Sequence, residues 1–249
     1  AININPQGTA AVVGRAVPLT FLLASVAVLL IAHTFVRLSQ RFNHAGSVYA
    51  FVGLTLGART GSVAGWLNAG TYLFYGAVTS TAAGIFLTDL AGKVFAPRVI
   101  PEWYGYVFAW AVLAGVCWMA VRDIRGGTRV LLVTEGLTIT VILAVAAITL
   151  GRLTIHAAPG GRHVDLSVFT VAPGTDVSNV FLGVVFGFLS FAGFEAAATL
   201  GEETENPRRD IPRAILGTAV FGGVFFVVVT AIEMMAFGTD AQGVQAFAA

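Results

Sequence analysis

The chain has few charged residues and almost no cysteine. Among its 249 residues, 14 are Lys or Arg and 13 are Asp or Glu, so charged side chains make up 11%, against about a quarter in soluble domains. Cys117 is the only cysteine, which excludes an intrachain disulfide. The formal net charge of +1 provides no basic excess of the kind that nucleic-acid binding requires.

Sequence patterns for metal binding and for ATP hydrolysis are also absent. The four histidines are scattered along the chain and do not have the spacing of metal ligands. The sequence has no Gly-x-x-x-x-Gly-Lys-Ser/Thr loop, and no Ser/His/Asp or paired-carboxylate pattern indicates an active site. We therefore expect a protein that is not an enzyme and that has neither a metal site nor a bound cofactor.

Hydrophobic residues dominate instead, at 57% of the sequence, and they fall into six windows with almost no charge. Each window is near or above the length of about 20 residues that a membrane-spanning helix needs. We predict an all-α, polytopic membrane protein that forms a single transmembrane domain over residues 1–249. The predicted helices lie at about 17–37, 62–88, 103–121, 130–151, 178–201 and 213–237.

The basic residues are distributed unevenly between the two ends of these helices. Counted over alternate connections, one side carries nine Lys or Arg residues and the side that contains residue 1 carries five. Because cytoplasmic loops are richer in Lys and Arg, we expect residue 1 on the outer side of the membrane. The chain opens with a polar stretch, lacks an initiator Met and ends soon after a hydrophobic window, so we expect it to be a piece of a longer protein.

Two connections between the predicted helices have features of their own. The inner connection is too polar to span the bilayer but contains several apolar side chains, which predicts an interfacial helix at about 46–57. The outer connection, residues 152–176, contains Pro-Gly pairs and is the longest irregular stretch. It is either a flexible lid or a linker.

Glu195 is the most informative charged residue because it lies inside a window that is otherwise apolar. A carboxylate at membrane depth needs a partner, a proton or a wet cavity. Gly187, Gly193 and Ser190 weaken the helix at the same point, and Phe188, Phe191 and Phe194 could form cavity walls. The pattern predicts a discontinuous helix near residues 188–195 whose backbone groups bind a charged solute.

A packing interpretation of the same residues is equally open. Gly183 and Gly187 form a Gly-x-x-x-Gly pair, which brings helices into close contact, and Glu195 could pair with a neighbouring side chain. Asn68 and Tyr72 lie one turn apart in the second window and are candidate cavity-lining residues or a satisfied buried pair. Glu233 lies near the outer end of the last window, where we expect an interfacial carboxylate.

Two motifs resemble those of amino acid permeases, members of the amino acid–polyamine–organocation superfamily. The run Phe188-Leu-Ser-Phe-Ala-Gly-Phe-Glu195, continuing to Pro212, resembles the family's sixth-helix signature. The run Phe42-Asn-His-Ala-Gly-Ser-Val-Tyr49, followed by Gly57 and Ala64-Gly-Trp66, resembles its loop between helices two and three. The resemblance covers nearly the whole chain.

The resemblance implies that the six windows are family helices two to seven in a fold of two inverted five-helix repeats, the leucine-transporter-like fold. It also implies substrate-binding residues along the sixth-helix break: Phe188, Leu189, Ser190, Phe191, Gly193, Phe194 and Glu195. The family's first-helix break, which completes the substrate site, would lie outside the chain. Some proton-coupled relatives use a Lys in helix five, and residues 130–151 contain none, so the coupling ion is open between H⁺ and Na⁺.

We therefore expect a secondary active transporter that moves amino acids or related amines across a bacterial-type plasma membrane by alternating access. The expected partners are a small-molecule substrate and the lipid bilayer, without nucleic acid. The alternatives are a polyamine or organocation exchanger of the same fold and a membrane scaffold that does not transport. A channel is disfavoured because the predicted helices are too apolar to line a pore.

Overall fold

The computed structural model describes residues 4–42, 46–94, 101, 103–121, 124–202 and 204–248. Within these ranges the chain forms α-helices and short 3₁₀-helices without any strand, which confirms the all-α prediction. The α-helices are α1 (Asn5–Val13), α2 (Val17–Arg41), α3 (Ser47–Leu56), α4 (Ala58–Val94), α5 (Trp103–Val121), α6 (Ile124–Thr154), α7 (Val177–Ser190), α8 (Pro207–Phe237) and α9 (Ala241–Ala248). The 3₁₀-helices are Gly14–Ala16, Pro159–Gly161, Leu166–Phe169 and Phe194–Leu200.

Five of the described helical stretches are long and apolar enough to cross a membrane: Asn5–Arg41, Ala58–Val94, Arg129–Thr154, Val177–Leu200 and Pro207–Phe237. They confirm the prediction of a polytopic integral membrane protein. The described part of the chain has two shorter apolar helices, α3 and α5. The longer of them, α5, has 19 residues, so it is about 28 Å long at 1.5 Å per residue. This length is close to the thickness of the bilayer core, and the sixth crossing stays a prediction.

The chain divides into two compact units. The first contains residues 1–51 and 139–249, and the second contains residues 52–138. The first unit therefore includes α1, α2, α7, α8 and α9, together with the second half of α6. Helices α4 and α5 belong to the second unit.

Helix α2 lies at the centre of the first unit and packs against both α7 and α8. Small residues allow the close approach. A Cβ atom at Gly187 of α7 would lie 2.7 Å from Ala24 Cβ, and one at Gly223 of α8 would lie 3.2 Å from Ser25 Cβ. Because lipid chains are as apolar as leucine, close backbone packing of this kind is what holds helices together in a membrane.

Two clusters of buried side chains stabilise the first unit. One cluster joins α1 and the start of α2 to the end of α8, and it includes Val13, Phe21 and Met234. The other joins the middle of α2 to the start of α8 and to the chain around Phe191. Buried hydroxyls within the unit bond to their own helix: Thr20 Oγ1 donates to the Val17 carbonyl at 2.8 Å and Ser25 Oγ donates to the Phe21 carbonyl at 2.7 Å, which satisfies them away from water.

Helix α1 lies outside the predicted helices, because the sequence opens with polar residues there. Pro6 stands in its first turn, where the missing N–H loses no helix bond. The helix buries Pro6, Thr9, Ala10 and Val13, and it packs on α7 and α9. The buried positions have the spacing of one helical face, but Thr9 is among them and Ala11 and Val12 lie outside that face, so hydrophobicity alone does not reveal the helix.

The second unit consists mainly of α4 packed on α5. Gly84 is buried at this contact, where a side chain would collide with the carbonyl of Gly105 and with Ala109. Gly57 separates α3 from α4 and has a φ of +98°, a conformation that a residue with a side chain rarely adopts. Helix α3 thus ends where the interfacial helix was predicted to end, and its position at the membrane interface stays a prediction.

Candidate functional site

The long apolar stretch that begins with α7 is interrupted, which confirms the predicted discontinuous helix. Helix α7 ends at Ser190, and the chain resumes at Phe194 as a 3₁₀-helix. Between them Gly193 has φ +98° and ψ −2°, the left-handed conformation. Only glycine adopts this conformation without strain. We call residues 191–193 the break.

Hydrogen bonds across the break span three residues instead of the four of an α-helix. The Phe191 N–H donates to the Phe188 carbonyl at 3.0 Å, and the Phe194 N–H donates to the Phe191 carbonyl at 3.2 Å. The Ala196 N–H then donates to the Gly193 carbonyl at 3.0 Å. The Phe188 and Leu189 carbonyls each accept one such bond, and a carbonyl oxygen has a second lone pair, so the C-terminal end of α7 still offers acceptor capacity and a partial negative charge.

Aromatic side chains hold the break on both sides. Phe191 is 5% exposed, and its ring meets Phe226 of α8 edge to face at a centroid distance of 5.2 Å. Phe194 meets Phe35 of α2 edge to face at 5.7 Å. Edge-to-face pairs stabilise by about 0.5–1.5 kcal/mol beyond the area they bury. The two rings therefore fix the chain before and after Gly193 to different neighbours.

The N-terminal end of α1 lies beside the C-terminal end of α7. The side-chain amide of Asn5, the first residue of α1, donates to Ser190 Oγ at 2.8 Å. Ser190 is buried. Ile4 occupies the cap position of α1 and provides no side-chain hydrogen bond. The positive end of one helix dipole and the negative end of another thus come together at Ser190.

Glu195 follows the break and is half-buried. Its backbone carbonyl lies 3.5 Å from Ser47 Oγ of α3, at the outer limit of a hydrogen bond. Glu195 takes part in further interactions. This position brings the start of α3 against the residues that follow the break.

The structure brings the predicted site residues together to different degrees. Phe188, Ser190, Phe191, Gly193, Phe194 and Glu195 lie at the break and are buried or half-buried. Leu189 is 46% exposed. Asn68 and Tyr72 are on α4 in the second unit, where Asn68 is half-buried and Tyr72 is exposed. Substrate binding by any of these residues stays a prediction. Asn5 was not predicted, since its role depends on a contact 185 residues away.

Gly183 and Gly187 have the packing role that the alternative interpretation gave them. Both lie inside the regular part of α7 and are buried. A Cβ at Gly183 would lie 2.8 Å from Val13 Cγ1 and 2.9 Å from Thr20 Cγ2. The glycines of this segment therefore divide into two that permit close packing and one, Gly193, that permits the break.

The connection between α6 and α7 is bound to the end of α8. The Arg162 guanidinium donates to the Ala236 carbonyl. Asp165 accepts hydrogen bonds from Thr239 Oγ1 at 2.7 Å, from the Ser167 N–H at 2.9 Å and from Ser167 Oγ at 2.7 Å. The Thr239 hydroxyl, followed by the bonds from Ser167, holds the pKa of Asp165 below its usual range. Val168 is also fully buried. Residues 162–170 are therefore anchored to the first unit, and we call them the strap.

A groove of about 310 Å³ runs between α2 and α8, apart from the break. Its walls are almost entirely hydrocarbon, from side chains such as Leu22, Val26 and Val224. The hydroxyl of Ser25, which also lines it, is already bonded to the carbonyl of Phe21. The groove suits an apolar neighbour and offers little to a charged solute.

A sequence model of the amino acid permease family matches residues 7–248. The match covers the break, α1 from Gln7 and all of α9. The chain belongs to the amino acid permease family.

Curated relatives are distant in sequence and longer than this chain. The low-affinity putrescine importer PlaP of Escherichia coli (strain K12) is 26% identical over 214 residues, which are 86% of this chain and 45% of that protein. The branched-chain amino acid permease BcaP of Lactococcus lactis subsp. cremoris (strain MG1363) is 25% identical over 234 residues, 91% of this chain and 50% of BcaP. Cationic amino acid transporter 4 of Homo sapiens is 29% identical over 237 residues, 90% of this chain and 36% of the transporter. The chain thus spans half or less of the length of these relatives.

Proposed function

We propose that the natural protein containing this chain is a secondary active transporter of amino acids or related amines. It moves its substrate across the membrane by alternating access, with the break as the substrate region. Membership of the amino acid permease family supports the class. The observation that carries the proposal is the meeting of two helix ends at Ser190, inside an apolar helical stretch.

Opposite helix ends suit the two charges of an amino acid. The C-terminal end of α7 offers carbonyl oxygens and a partial negative charge, which favour an ammonium group. The N-terminal end of α1 offers N–H groups and a partial positive charge, which favour a carboxylate. Phe191 and Phe194 lie beside this point and give the substrate side chain an apolar surface.

The substrates for which the relatives are named have one chemical group in common. One is named for putrescine, one for branched-chain amino acids and one for cationic amino acids. All three classes carry a primary ammonium group, and only the amino acids also carry a carboxylate. We therefore assign the ammonium group to the carbonyl end of α7 and leave polyamine exchange as the second candidate, in which the end of α1 binds no carboxylate.

The distribution of Lys and Arg supports a plasma membrane orientation with residue 1 on the outer side. In that orientation the turn between α1 and α2, the strap at residues 162–170 and the end of α8 face the outside. A bacterial-type plasma membrane is the proposed location.

Counterflow into proteoliposomes tests the function. Vesicles loaded with unlabelled amino acid should take up labelled amino acid in a saturable way, without any ion gradient. N-acetylated and methyl-esterified analogues should compete at least tenfold more weakly, because each lacks one of the two charges. Competition by putrescine but not by amino acids would move the assignment to a polyamine exchanger. Flux that does not saturate would indicate a pore, and no flux would indicate a scaffold.

Glu195→Gln tests the residues around the break directly. We expect counterflow to fall at least tenfold while the amount of protein inserted in the membrane is unchanged. Glu205→Gln is the matched control, because it makes the same change at an exposed position. If Glu195→Gln transports normally, or if it fails to insert, then Glu195 is not part of the substrate region.

A further inference from the structure

The groove between α2 and α8 is open along the middle of both helices. Its floor consists of small buried residues, among them Ser25 on α2 and Gly223 on α8. Leu22, Val26 and Val224 form its sides and are 42%, 53% and 61% exposed. Both helices are long and apolar enough to cross a membrane, so this part of them is surrounded by hydrocarbon. The groove therefore lies where the acyl chains of lipids lie.

Both sides of the groove continue as helix faces to a group of arginines. On α2 the face that carries Leu29 continues, in steps of three or four residues, to Arg37. On α8 the face that carries Val220 continues towards the start of the helix to Arg213 and Arg209. All three arginines are exposed. We call Arg37, Arg209 and Arg213 the basic cluster.

The members of the basic cluster lie at one level of the two helices. A Cβ at Gly223 would lie 3.2 Å from Ser25 Cβ, so these two residues are opposite each other. The helices run antiparallel, and Arg37 follows Ser25 by 12 residues just as Ile211 precedes Gly223 by 12. Arg37 therefore lies level with Ile211, between the other two arginines. Val36 and Ile211 belong to the same buried cluster, so the helices are still in contact at this level.

The guanidinium groups of the basic cluster are available to an anion. Within the described ranges none of them forms an ion pair with another side chain. Asp210 follows Arg209 directly, but it lies about 100° further around α8. Arginine keeps its charge at neutral pH and binds a phosphate through two parallel hydrogen bonds. The cluster therefore favours a partner that carries a phosphate.

The distance from the far end of the groove to the basic cluster matches one leaflet of a bilayer. Leu22 and Arg37 are 15 residues apart on α2, and Val228 and Arg213 are 15 residues apart on α8. At 1.5 Å per residue both distances are about 22 Å. A bilayer with its headgroups is about 40–45 Å thick, so one lipid measures about 20–22 Å from the end of its chain to its headgroup. A single lipid thus fits both the groove and the cluster.

We propose that the groove and the basic cluster bind one phospholipid with an anionic headgroup. Its acyl chain lies in the groove, and its phosphate accepts hydrogen bonds from the guanidinium groups. Because the surrounding lipid tails are as apolar as the groove, the charge of the headgroup selects the lipid. A zwitterionic headgroup adds an ammonium group that the arginines repel. Anionic lipids are found in the cytoplasmic leaflet, and in the proposed orientation the cluster lies on that side.

Native mass spectrometry of the full-length natural protein tests the headgroup selection. Phosphatidylglycerol and phosphatidylethanolamine with identical acyl chains are titrated, and the bound lipid is counted. We expect the protein to bind phosphatidylglycerol more tightly. Arg213→Gln should weaken this binding about fivefold, the effect of one cation beside an anionic lipid, and leave phosphatidylethanolamine binding unchanged. Arg208→Gln is the matched control, because it removes an exposed arginine about 100° from Arg209 around the start of α8.

A second pair of variants tests the groove. Val224→Trp fills it and should prevent the binding of both lipids. Val185→Trp makes the same change at a valine of α7 that is 51% exposed and lies outside the groove, so it should bind both lipids normally. Glycerol phosphate, which has the anion without the acyl chains, should not displace phosphatidylglycerol at equal concentration. Arg37→Gln and Val220→Trp repeat the two tests at second positions in case a first variant does not fold.

Three results would overturn the proposal. Equal affinity for the two lipids, or normal phosphatidylglycerol binding by the arginine variants, would show that the basic cluster does not select the headgroup. Normal lipid binding by the tryptophan variants would show that the groove holds no acyl chain, as expected if another part of the protein covers it. Displacement by glycerol phosphate would indicate a site for a free phosphate in place of a lipid. None of these results depends on which substrate the protein transports.

Discussion

Gly193→Ala isolates the contribution of backbone conformation at the break. Gly193 has φ +98°, and a Cβ added there would meet nothing within 4 Å. The substitution therefore creates no steric overlap with other residues and tests the conformation alone. Alanine in a left-handed conformation costs about 1–2 kcal/mol. The same substitution also restricts the unfolded chain, which stabilises the folded state by about 0.4–1 kcal/mol.

Gly217→Ala is the matched control for this experiment. Gly217 lies inside α8, and a Cβ there also meets nothing within 4 Å. The unfolded-state contribution is the same in both variants, so the difference in their unfolding free energies equals the strain at Gly193, about 1–2 kcal/mol. This difference corresponds to a 5- to 30-fold change in the ratio of folded to unfolded protein.

Thermal unfolding of the two purified variants in detergent, followed by circular dichroism, measures the difference. In domains of this size 1 kcal/mol shifts Tm by about 2–4 °C. We therefore expect Gly193→Ala to unfold about 2–8 °C below Gly217→Ala. Equal Tm values would refute the reasoning, because they would mean that residue 193 does not hold a left-handed conformation in the folded protein.

Two further substitutions test the packing of α7 and the strap. Gly187→Ala brings a Cβ to 2.7 Å from Ala24 Cβ, so we expect it to destabilise the folded protein by about 1–3 kcal/mol. Adding Ala24→Gly should partly restore the stability in the double variant. An unchanged Tm in Gly187→Ala would contradict the close contact. Asp165→Asn tests the strap through its pH dependence. The Thr239 hydroxyl, followed by Ser167, lowers the pKa of Asp165 in the folded state. The ionised carboxylate therefore stabilises the folded protein above the unfolded-state pKa of about 4. This stabilisation is lost as the pH falls through the folded-state pKa. The Tm difference between the unchanged protein and Asp165→Asn should thus be constant above about pH 5 and shrink below about pH 4. A Tm difference that grows on acidification would show that the pKa of Asp165 is not lowered in the folded state.

The membrane class and the position of the break could be predicted from local patterns. Windows without charge indicate membrane helices because hydrocarbon does not tolerate unpaired charges or exposed backbone groups. The combination of Gly193, Ser190 and Glu195 in one such window indicated where the helix would be interrupted. The resemblance to the family pointed to the same residues.

The roles of individual glycines could not be read from their spacing. Gly183, Gly187 and Gly193 lie within eleven residues of one another, and the pattern allowed either packing or unwinding for each of them. The structure separates them, because the first two face α2 and α1 while only the third has a positive φ. What decides between the two roles is the neighbour on another helix, which the local sequence does not specify.

Residue patterns alone are enough to predict that the chain is helical, that it lies in a membrane and that one of its helices is interrupted near residue 190. These properties depend on the cost of placing charge and bare peptide groups in hydrocarbon, and each residue contributes to that cost locally. The contacts of Asn5 with Ser190 and of Phe226 with Phe191 are seen only in the three-dimensional arrangement of the helices. The same is true of the Oε2 atom of Glu233, which is enclosed without a partner in the described part of the chain. Each of these features depends on which helix faces lie against one another, and that is fixed by packing between segments far apart in the sequence.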